Sequence, residues 1–467
     1  MKSLNNLNRL FFFFFFLLAF LISILVIRGD QTYPRVIETN LNSTILSLNT
    51  KQIVLTFNRN MDRASVEKNF SLTPEVEGKF SWIGRKMAYS FTEGLQGGES
   101  LEVSLKGVKD AQGVLMKKPY FKNYQTAYQN LYFIGAEGVQ KEKLVQFDFK
   151  LKNTKILSPK GLIIKDFKIH PNQKLIYLLG IKEGSDQARD NLYQLDLETK
   201  KLDKILDGEK EFIFSFDLSP DGKILLVRKG QVNTFSESSL IDPGSLWIFK
   251  PENGKWTEFW NKEIYGSEFF FSPDSNYIVG RLITGDITIL PVKENLDQVV
   301  YLENYAGSYN LSPDGSKLVF VDFTDPFSPH DLLLRENDGN TKILGKGIGQ
   351  IQFPIFDRKG DNVYFLLSLA EQQTGLLQLN PYHLYRYDLK EEKLFQLTKD
   401  ATYFEGFFHV SSNGEKIAFE RYKASATGAF YESQLGKETP SAEIWVYNRV
   451  SQKEENLNLV GLKPYLN

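Results

Sequence analysis

One pattern of apolar and polar positions recurs along the second half of the chain. Its clearest copies are FDLSPDGKILLVRKG from Phe216, FFFSPDSNYIVGRL from Phe269 and YNLSPDGSKLVFVDF from Tyr309. In each copy, two aromatic and aliphatic runs flank a turn in which Pro presets φ and Asp bonds back to the backbone, and in two of the three copies Gly tolerates a positive φ. The pattern predicts a β-hairpin, and it makes the Ser and Asp of the motif turn formers and not catalytic groups.

The spacing of the copies gives the size of the repeating unit. With weaker copies from Phe167, Pro354 and Phe408, the motif proline position falls at 171, 220, 273, 313, 358 and 412, in steps of 49, 53, 40, 45 and 54 residues. A second hairpin with alternating apolar and polar residues begins at Asn191, Ser245, His383 and Glu443. Each unit is therefore predicted to have four strands, named a to d from the centre outward, and the steps suit one propeller blade.

These repeats resemble those of TolB-like, WD-type β-propellers. The resemblance rests on LSPDGSKLVFVD and LSPDGKILLV, each followed by a Leu-Tyr or Leu-Trp strand; it covers residues 131–460, and we assign 129–467 to the propeller. Residues 130–157 are typical of strands b, c and d of one more blade, for which the C-terminal NLVGLKPYLN can supply strand a and close the ring. We expect seven blades, with six as the alternative. The resemblance implies an architecture and little about activity.

A second region, residues 52–116, has short alternating strands separated by turn residues, as in a small β-sandwich. The segments IVLTFNRNMDRASV, FSLTPEVEGKFSW, MAYSFTEGLQGGESLEVSL and KDAQG resemble, in order, the signature of the bacterial Ig-like domain of S-layer type over residues 33–128. The resemblance implies an extracellular spacer or adhesion module and no enzymatic activity. Within the motif, we interpret Met61 as a packing residue and Asp62 as a turn or cap.

The N-terminal segment favours a membrane anchor. Residues 10–27 form a segment of 18 residues, rich in Phe, Leu and Ile and without a charged side chain, which follows Lys2 and Arg9. Insertion of such a segment is favourable by about 5–10 kcal/mol. No small-residue cleavage site follows, so we predict that residues 1–32 are an uncleaved signal anchor with its transmembrane segment at 10–27, and a removed signal peptide is the alternative. In both cases the rest of the chain is exported, and the prediction is a single-pass membrane protein with an extracytoplasmic C-terminal region.

Composition and charge narrow the function classes. The 467 residues exceed what one core usually supports, the aromatic content of 14% favours β structure, and there is no Cys, which excludes disulfides, thiolate catalysis, zinc–cysteine sites and lipoprotein acylation. Lys and Arg against Asp and Glu number 13 against 9 in residues 33–128 and 40 against 47 after them, a charge of about +4 and about −7. Nothing in this balance predicts nucleic-acid binding.

No catalytic motif, metal site or cofactor site is evident. The four histidines, His170, His330, His383 and His409, lie in different repeats without paired spacing, and the chain has no G-x-S-x-G elbow, P-loop or dinucleotide fingerprint. We therefore predict no catalytic residue, no metal and no cofactor.

The connections between strands b and c are the longest, and they all extend from one rim of the predicted propeller. Long loops on one face of a rigid scaffold are a common place for recognition. Asp, Arg and aromatic side chains there can hold a glycan or a peptide, and Asp322, Asp325 and Asp331 are an alternative Ca²⁺ set that does not match the D-x-D-x-D-G loop. The candidate binding residues are Asp186, Arg189, Asp190, Asp322, Asp325, His330, Asp331, Arg421, Tyr422 and Tyr431.

Together these features predict an all-β exported protein with an N-terminal transmembrane helix, an Ig-like β-sandwich and a β-propeller. We expect a binding or scaffold protein without enzymatic activity, anchored through residues 10–27, whose propeller is presented to an envelope protein or a cell-wall glycan. The alternative is a glycan lyase or hydrolase that works on the propeller face or in its channel. A third interpretation is a purely structural spacer.

Overall fold

The computed structural model describes residues 11–20, 32–41, 45–48, 50–92, 94–185, 189–231, 244–260, 264–272, 275–282, 286–292, 300–304, 307–323, 328–369, 381–424 and 441–467. The chain divides into two compact units. One comprises Met1–Thr44, Gln52–Phe91 and Ser100–Tyr124; the other comprises Ile45–Lys51, Thr92–Glu99 and Gln125–Asn467. The boundaries at residues 32 and 128 stay predictions from the sequence.

The predicted membrane span falls only partly within the described residues. Residues 11–20 are helical, and the remainder of 10–27 lies outside them. Among the described residues, no helix combines the length and the apolar character that a membrane crossing requires.

Two four-stranded sheets form the region that resembles an Ig-like domain. Their orders are β1-β3-β6-β5 and β2-β8-β7-β4, and β2 pairs with β8 in parallel. Alternating residues of β3 and β7 are fully buried, as a two-sheet core requires. The strands are β1 (Val36–Thr39), β2 (Ile45–Leu46), β3 (Gln52–Phe57), β4 (Phe70–Thr73), β5 (Gly78–Ile83), β6 (Lys86–Phe91), β7 (Ser100–Leu105) and β8 (Tyr120–Thr126).

The motif residues of this region have structural roles, as predicted. Met61 is buried and bridges to Asp110. Asp62 caps the short helix Arg63–Asn69, because its Oδ1 accepts a hydrogen bond from the Ser65 backbone N–H at 3.2 Å. A carboxylate at this position satisfies a donor that the first helical turn leaves unpaired.

The remaining strands form a series of antiparallel units. They are β9 (Asn130–Gly135), β10 (Leu144–Asp148), β11 (Asn153–Ile156), β12 (Leu162–Ile169), β13 (Leu175–Lys182), β14 (Asn191–Asp196), β15 (Leu202–Leu206), β16 (Glu211–Leu218), β17 (Leu225–Gln231), β18 (Ser245–Lys250), β19 (Lys255–Trp260), β20 (Ile264–Phe271), β21 (Tyr277–Leu282), β22 (Asp286–Pro291), β23 (Val300–Asn304), β24 (Tyr309–Leu311), β25 (Lys317–Asp322), β26 (His330–Glu336), β27 (Thr341–Phe356), β28 (Asn362–Ser368), β29 (His383–Asp388), β30 (Lys393–Gln396), β31 (Tyr403–Val410), β32 (Lys416–Lys423), β33 (Glu443–Asn448) and β34 (Lys453–Leu466). A single 3₁₀ turn, Gly138–Gln140, lies between β9 and β10.

Within the described residues, these strands make seven four-stranded blades. Blades 1, 2 and 3 are β12–β15, β16–β19 and β20–β23. The long strand β27 ends blade 4 (with β24–β26) and begins blade 5 (with β28–β30), and β34 likewise ends blade 6 (with β31–β33) and begins blade 7 (with β9–β11). The sequence left seven and six blades open, and the pairing has seven.

Ring closure is made by the C-terminal strand, as the sequence predicts. In β34, Gly461 pairs with Gly135 of β9, and Leu466 pairs with Leu131. The side chain of Asn467 extends the closure, because its Oδ1 accepts from the Asn130 backbone N–H at 2.6 Å. Blade 7 therefore consists of the last strand of the chain and three strands that precede blade 1.

The repeated motif forms the a to b turns. Ser312 donates from its hydroxyl to Asp314 Oδ1 at 2.6 Å and accepts from the Lys317 backbone N–H at 2.9 Å, while Gly315 has φ 71°. The Ser312 hydroxyl lowers the pKa of Asp314 to about 2. The same hydrogen bonds recur at Ser219 and Asp221. The Ser and Asp of the motif are thus bonded within their own turns.

Each blade is covered on both faces by its neighbours. Every residue of β28 is buried, whereas a strand with one solvated face alternates. One apolar cluster joins blades 6 and 7 through Phe133, Val145, Ala418 and Val446. This burial on both faces explains why the sequence of strand b is a continuous apolar run. The exposed edges of a blade lie at its innermost and outermost strands.

We predict that Gly461→Ala opens the closure. A Cβ at Gly461 would lie 2.7 Å from the carbonyl oxygen of Ile134 and would also meet the Phe133 ring, so β34 must shift away from β9. The free energy of unfolding should fall by about 1–3 kcal/mol, measured by denaturant unfolding. Lys453→Ala, at an exposed position of the same strand, is the control and should have little effect. An unchanged midpoint for Gly461→Ala would show that this pairing does not limit stability.

Candidate functional site

The first strands of all seven blades surround one cavity, which establishes that strand a is the innermost. The cavity has a volume of about 500 Å³ and lies at the end of the ring where the a to b turns are. Its lining residues include Lys168, Asp217, Phe271, Asn310, Phe356, Arg358, Val410 and Tyr465. A channel of this kind is concave and walled by rigid strands, as ligand sites usually are.

Lys168 and Asp217 form an ion pair in this channel. The Lys168 Nζ lies 2.8 Å from Asp217 Oδ1, and the Phe271 backbone N–H donates to Asp217 Oδ2 at 3.2 Å. Burial opposes the charge of Lys168, but the carboxylates of Asp217 and Asp166 raise the pKa of Lys168 above its ordinary value. The Lys168 side chain is 37% exposed, so its ammonium stays charged and accessible from the channel. This pair links the inner strands of blades 1, 2 and 3.

His409 and Tyr465 lie beside this pair, on the inner strands of blades 6 and 7. Their rings are 4.2 Å apart, and the Leu466 backbone N–H donates to His409 Nδ1 at 3.2 Å. Burial and the charge of Lys168 lower the pKa of His409 to about 4, so the ring is neutral at pH 7. Burial raises the pKa of Tyr465. A neutral imidazole is required here, because Nδ1 must keep its lone pair to accept from Leu466.

Arg358 adds a second cation to the cavity. Its guanidinium donates to the Ser412 carbonyl oxygen at 3.3 Å, and among the described residues no carboxylate forms an ion pair with it. Burial lowers the pKa of Arg358, although an Arg stays protonated at physiological pH. The cavity therefore offers a cation that an anionic or carbonyl group can approach.

The predicted site residues Arg421 and Tyr422 lie elsewhere than expected. Both belong to β32 and are 2% exposed, so the prediction that they are loop residues is wrong. They alternate between the two faces of strand b, where neighbouring blades cover them. The sequence reading placed the loop start at Arg421, whereas the strand continues to Lys423.

Arg421 is the centre of a buried network between blades 5 and 6. Its Nε and one terminal nitrogen donate to Glu405 Oε1 at 2.9 and 2.7 Å, and the other terminal nitrogen lies 2.6 Å from Glu454 Oε2. The second oxygen of Glu405 lies 2.9 Å from His383 Nδ1 and accepts from the Thr398 hydroxyl at 2.8 Å. Because these partners satisfy the guanidinium, its role is structural: it joins strands of blade 6 and holds Glu405, which contacts blade 5 through His383 and Thr398.

Tyr422 has a similar structural role on the other face. Its hydroxyl donates to Glu420 Oε2 at 2.8 Å, and Glu420 Oε1 accepts from the Lys463 backbone N–H of the closing strand at 2.7 Å. Burial raises the pKa of Glu420. Phe404 stacks on the Tyr422 ring at 5.1 Å.

The other predicted residues are at strand ends or in loops. Asp322 ends β25, and His330 and Asp331 begin β26, where His330 is 6% exposed and its Nδ1 accepts from the Ile351 backbone N–H at 2.9 Å. Arg189 donates to the Glu209 carbonyl oxygen at 3.3 Å. Asp190 precedes β14, and burial raises its pKa. Asp186, Asp325 and Tyr431 lie outside the described residues.

The Ca²⁺ alternative can be examined only in part. Asp325 is outside the described residues, Asp331 Oδ1 accepts from the Gly347 backbone N–H at 2.6 Å, and Asp322 Oδ1 accepts from the Phe323 backbone N–H at 3.0 Å. In the part of the chain that the structure describes, no three His, Asp or Glu side chains converge on a potential metal position.

Sequence reasoning missed Lys168, Asp217, Arg358 and Tyr465. Each lies in or beside strand a, which the sequence presents as an apolar run leading into the turn motif. Lys168 and Asp217 do stand out as charges at the same position, three residues before the motif proline position in blades 1 and 2. Lys168 and Asp217 meet only because blades 1 and 2 are neighbours in the ring, and the local sequence does not indicate this contact.

Comparison with known proteins identifies the Ig-like region. Residues 30–128 match the family profile of the bacterial Ig-like domain, which confirms the resemblance predicted from the sequence. No curated protein matches the chain with significance.

Solved structures similar to the chain include a prolyl endopeptidase, the putative TolB from Agrobacterium tumefaciens and the β-propeller domain of the trilobed protease from Pyrococcus furiosus. The prolyl endopeptidase is 13% identical with a TM-score of 0.47, and the match covers 64% of this chain and 43% of that protein. The TolB protein is 16% identical with a TM-score of 0.36, and the match covers 71% of this chain and 89% of that protein. The propeller domain is 16% identical with a TM-score of 0.47, and the match covers 78% of this chain and 93% of that domain. At these identities the likeness concerns the fold alone.

We predict that Arg421→Ala destabilises the protein without acting through a ligand. Removal of the guanidinium leaves the Glu405 carboxylate buried without its cationic partner, which should lower the free energy of unfolding by about 3–5 kcal/mol. Lys423→Ala, at an exposed position of the same strand, is the control. Equal unfolding midpoints for the two variants would contradict this role for Arg421.

We also predict that acid weakens ring closure through His409. A folded pKa of about 4, below the unfolded value of 6.5, means that the unfolded chain takes up the proton first. Stability should therefore decline as pH falls from 6.5 towards 4, by about 2 kcal/mol between pH 7 and pH 5. His409→Asn keeps an acceptor but does not titrate, so its unfolding midpoint should depend less on pH. Identical pH profiles for the two proteins would refute the assignment.

Proposed function

We propose that this protein is a membrane-anchored, extracytoplasmic binding protein. Residues 10–27 anchor it, the Ig-like domain spaces the propeller from the membrane, and the propeller presents one face to an envelope protein or a cell-wall glycan. An Ig-like domain joined to a TolB-like propeller suggests a binding or scaffold role, because neither part carries a recognised catalytic motif.

The observation that supports this proposal is the asymmetry of the connections. The a to b turns are short: residues 170–174 join β12 to β13, and residues 357–361 join β27 to β28. The b to c connections are much longer in several blades, since residues 369–382 join β28 to β29 and residues 424–442 join β32 to β33. Every b to c connection leaves from the same end of the ring.

This asymmetry favours recognition over a spacer role. The blades form a closed scaffold, and a scaffold that serves only as a spacer gains nothing from long connections confined to one end. Loops held by rigid strands are where binding proteins place variable contacts. Arg189 and Asp190, at the end of the blade 1 connection, are described candidates at this face, as are Asp322, His330 and Asp331, which flank the blade 4 connection.

We predict that shortening the longest loop abolishes ligand capture and leaves the fold intact. Residues 425–440 are replaced by a short Gly-Ser linker, which keeps β32 and β33 complete because they end at Lys423 and begin at Glu443. The full-length protein, held in a mild detergent and immobilised, is exposed to envelope extract and to a glycan array. One retained component that the shortened variant no longer retains is the expected result.

A matched control carries the same linker in place of residues 389–392, in the c to d turn of blade 5 at the opposite end of the ring. It should retain the component as the unaltered protein does. Loss of capture in both variants would indicate a folding defect, and capture that survives the 425–440 replacement would refute a role for this loop. Consumption of a glycan without retention would favour the lyase or hydrolase alternative.

A further inference from the structure

Six successive inner strands, those of blades 5, 6, 7, 1, 2 and 3, interrupt their pairing with strand b, and those of blades 5, 6, 7 and 1 release exposed side chains. The register shifts between Gln352 and Ile355 in blade 5, between Glu405 and Phe408 in blade 6, between Leu462 and Tyr465 in blade 7, and between Ile164 and Asp166 in blade 1. The residues released from the pairing include Phe353, Phe407, Lys463 and Lys165. A β-bulge re-aims a side chain in this way, and bulges concentrate beside functional sites.

These four residues lie within the innermost strands of their blades, and their side chains are at least partly exposed. Phe353 is 45% exposed and Phe407 is 38% exposed, the Lys463 side chain is 44% exposed, and Lys165 is exposed. We call this group the channel belt.

The members of the channel belt form two contacting pairs. The rings of Phe353 and Phe407 are 6.3 Å apart in an edge-to-face arrangement. Lys463 Nζ lies 3.1 Å from Asp166 Oδ1 and donates to the Lys165 carbonyl oxygen at 3.0 Å. Within the described residues, the ammonium of Lys165 has neither an ion pair nor a hydrogen bond. The belt therefore combines two aromatic rings on blades 5 and 6 with two lysines on blades 7 and 1, and the ammonium of Lys165 makes no direct ionic contact within the described residues.

Folding alone does not account for Phe353. Its φ is 52°, in the left-handed region where a bulky side chain costs about 1–2 kcal/mol, and its ring is largely in solvent. In blade 6 the corresponding bulge contains Gly406, where a Cβ would meet Glu420 and Tyr422. Lys463, in the corresponding bulge of blade 7, has φ 53°, so two belt residues with large side chains adopt the left-handed conformation. Backbone strain of this kind concentrates at functional sites, and here it accompanies an exposed aromatic ring.

The chemistry of the belt identifies the ligand class. A pyranose ring has an apolar C–H face that stacks on an aromatic ring, and its equatorial hydroxyls reach polar groups at the edge. The Lys463 and Asp166 pair offers a donor and an acceptor for hydroxyls. The free ammonium of Lys165 complements a carboxylate, because a positive donor forms a charge-assisted hydrogen bond with a negative acceptor. An open, half-exposed pair of rings does not form the closed pocket that an apolar peptide side chain requires.

We propose that the channel belt binds a carboxylated sugar, a uronic-acid residue of an oligosaccharide, with Phe353 and Phe407 as the stacking platform and Lys165 as the carboxylate partner. The proposal rests on the proposed binding function and names the ligand class of its propeller. It places recognition inside the channel, in addition to the loop face.

The test compares two oligosaccharides that differ in one group. Binding of β-1,4-linked tetramannuronate and of β-1,4-mannotetraose to the full-length protein in detergent is measured by isothermal titration calorimetry, because the two differ only in the carboxylate at C6. Tetramannuronate is expected to bind at least tenfold more tightly. Lys165→Gln should remove this preference, and Phe353→Gly should weaken tetramannuronate binding at least tenfold while the Tm stays equal or rises, because glycine relieves the positive φ.

Matched controls lie in the Ig-like region. Phe121→Ala removes a ring that is 48% exposed, and Lys122→Gln removes an exposed lysine, and neither should change binding. Phe407→Ala provides a second belt variant in case Phe353→Gly does not fold, and it should also weaken binding at least tenfold.

Three results would overturn the proposal: no binding of tetramannuronate, equal affinity for the two oligosaccharides, or unchanged affinity in the belt variants. A peptide with a free carboxylate that binds in place of the sugar would overturn it as well and assign the belt to peptides. Failure here is distinguishable from failure of the binding function. If the 425–440 replacement abolishes capture from envelope extract while the belt variants capture normally, the binding function stands and the belt proposal falls.

Discussion

The pairing of the C-terminal strand with the first strand of the propeller sequence is the constraint on which the ring depends. Gly461–Leu466 and Leu131–Gly135 form neighbouring strands of blade 7, and without that pairing blade 6 and the strands β9–β11 would each have an uncovered apolar face. An uncovered apolar face and unpaired strand edges are both unfavourable in water. In the closed ring, each of the seven blades covers the faces of its two neighbours and is covered by them. The pairing joins distant parts of the chain, so its stabilisation must offset the entropy cost of closing a long loop.

Charged groups inside the ring serve this closure. The Lys168 and Asp217 pair connects blades 1 and 2, the Leu466 N–H donates to His409 across blades 7 and 6, and the carboxylate of Glu420 accepts from the backbone of the closing strand. Each polar group is placed where strand pairing alone leaves a donor or an acceptor, as burial requires. The polar side chains of the inner strands therefore stabilise the ring first. A ligand in the channel can bind only the polar groups that are not already engaged in closure.

The polar and aromatic residues of the propeller therefore fall into two classes, those with a structural role and those that a ligand can contact. Arg421 and Tyr422 are satisfied by partners within the protein, so mutations there report on stability. The ammonium of Lys165 has no such partner among the described residues, and the Phe353 ring meets the Phe407 ring but is 45% exposed. The strands that flank the long b to c connections meet them at one end of the ring.

Much of this architecture is determined by the sequence itself. The SPDG-type turns, their spacing and the alternating second hairpins specify four-stranded blades, because turn chemistry and strand periodicity are local properties. The Ig-like motif and the apolar C-terminal strand are also recognisable in this way, and Asp62 acts as the cap that its position predicts. Only the tertiary structure decided where strand b ends, which buried Arg421, and which inner-strand charges meet. The contact of Lys168 with Asp217 and the bulges that expose Phe353 and Lys165 arise from packing between blades, an interaction between distant parts of the chain that leaves no periodic signal in it.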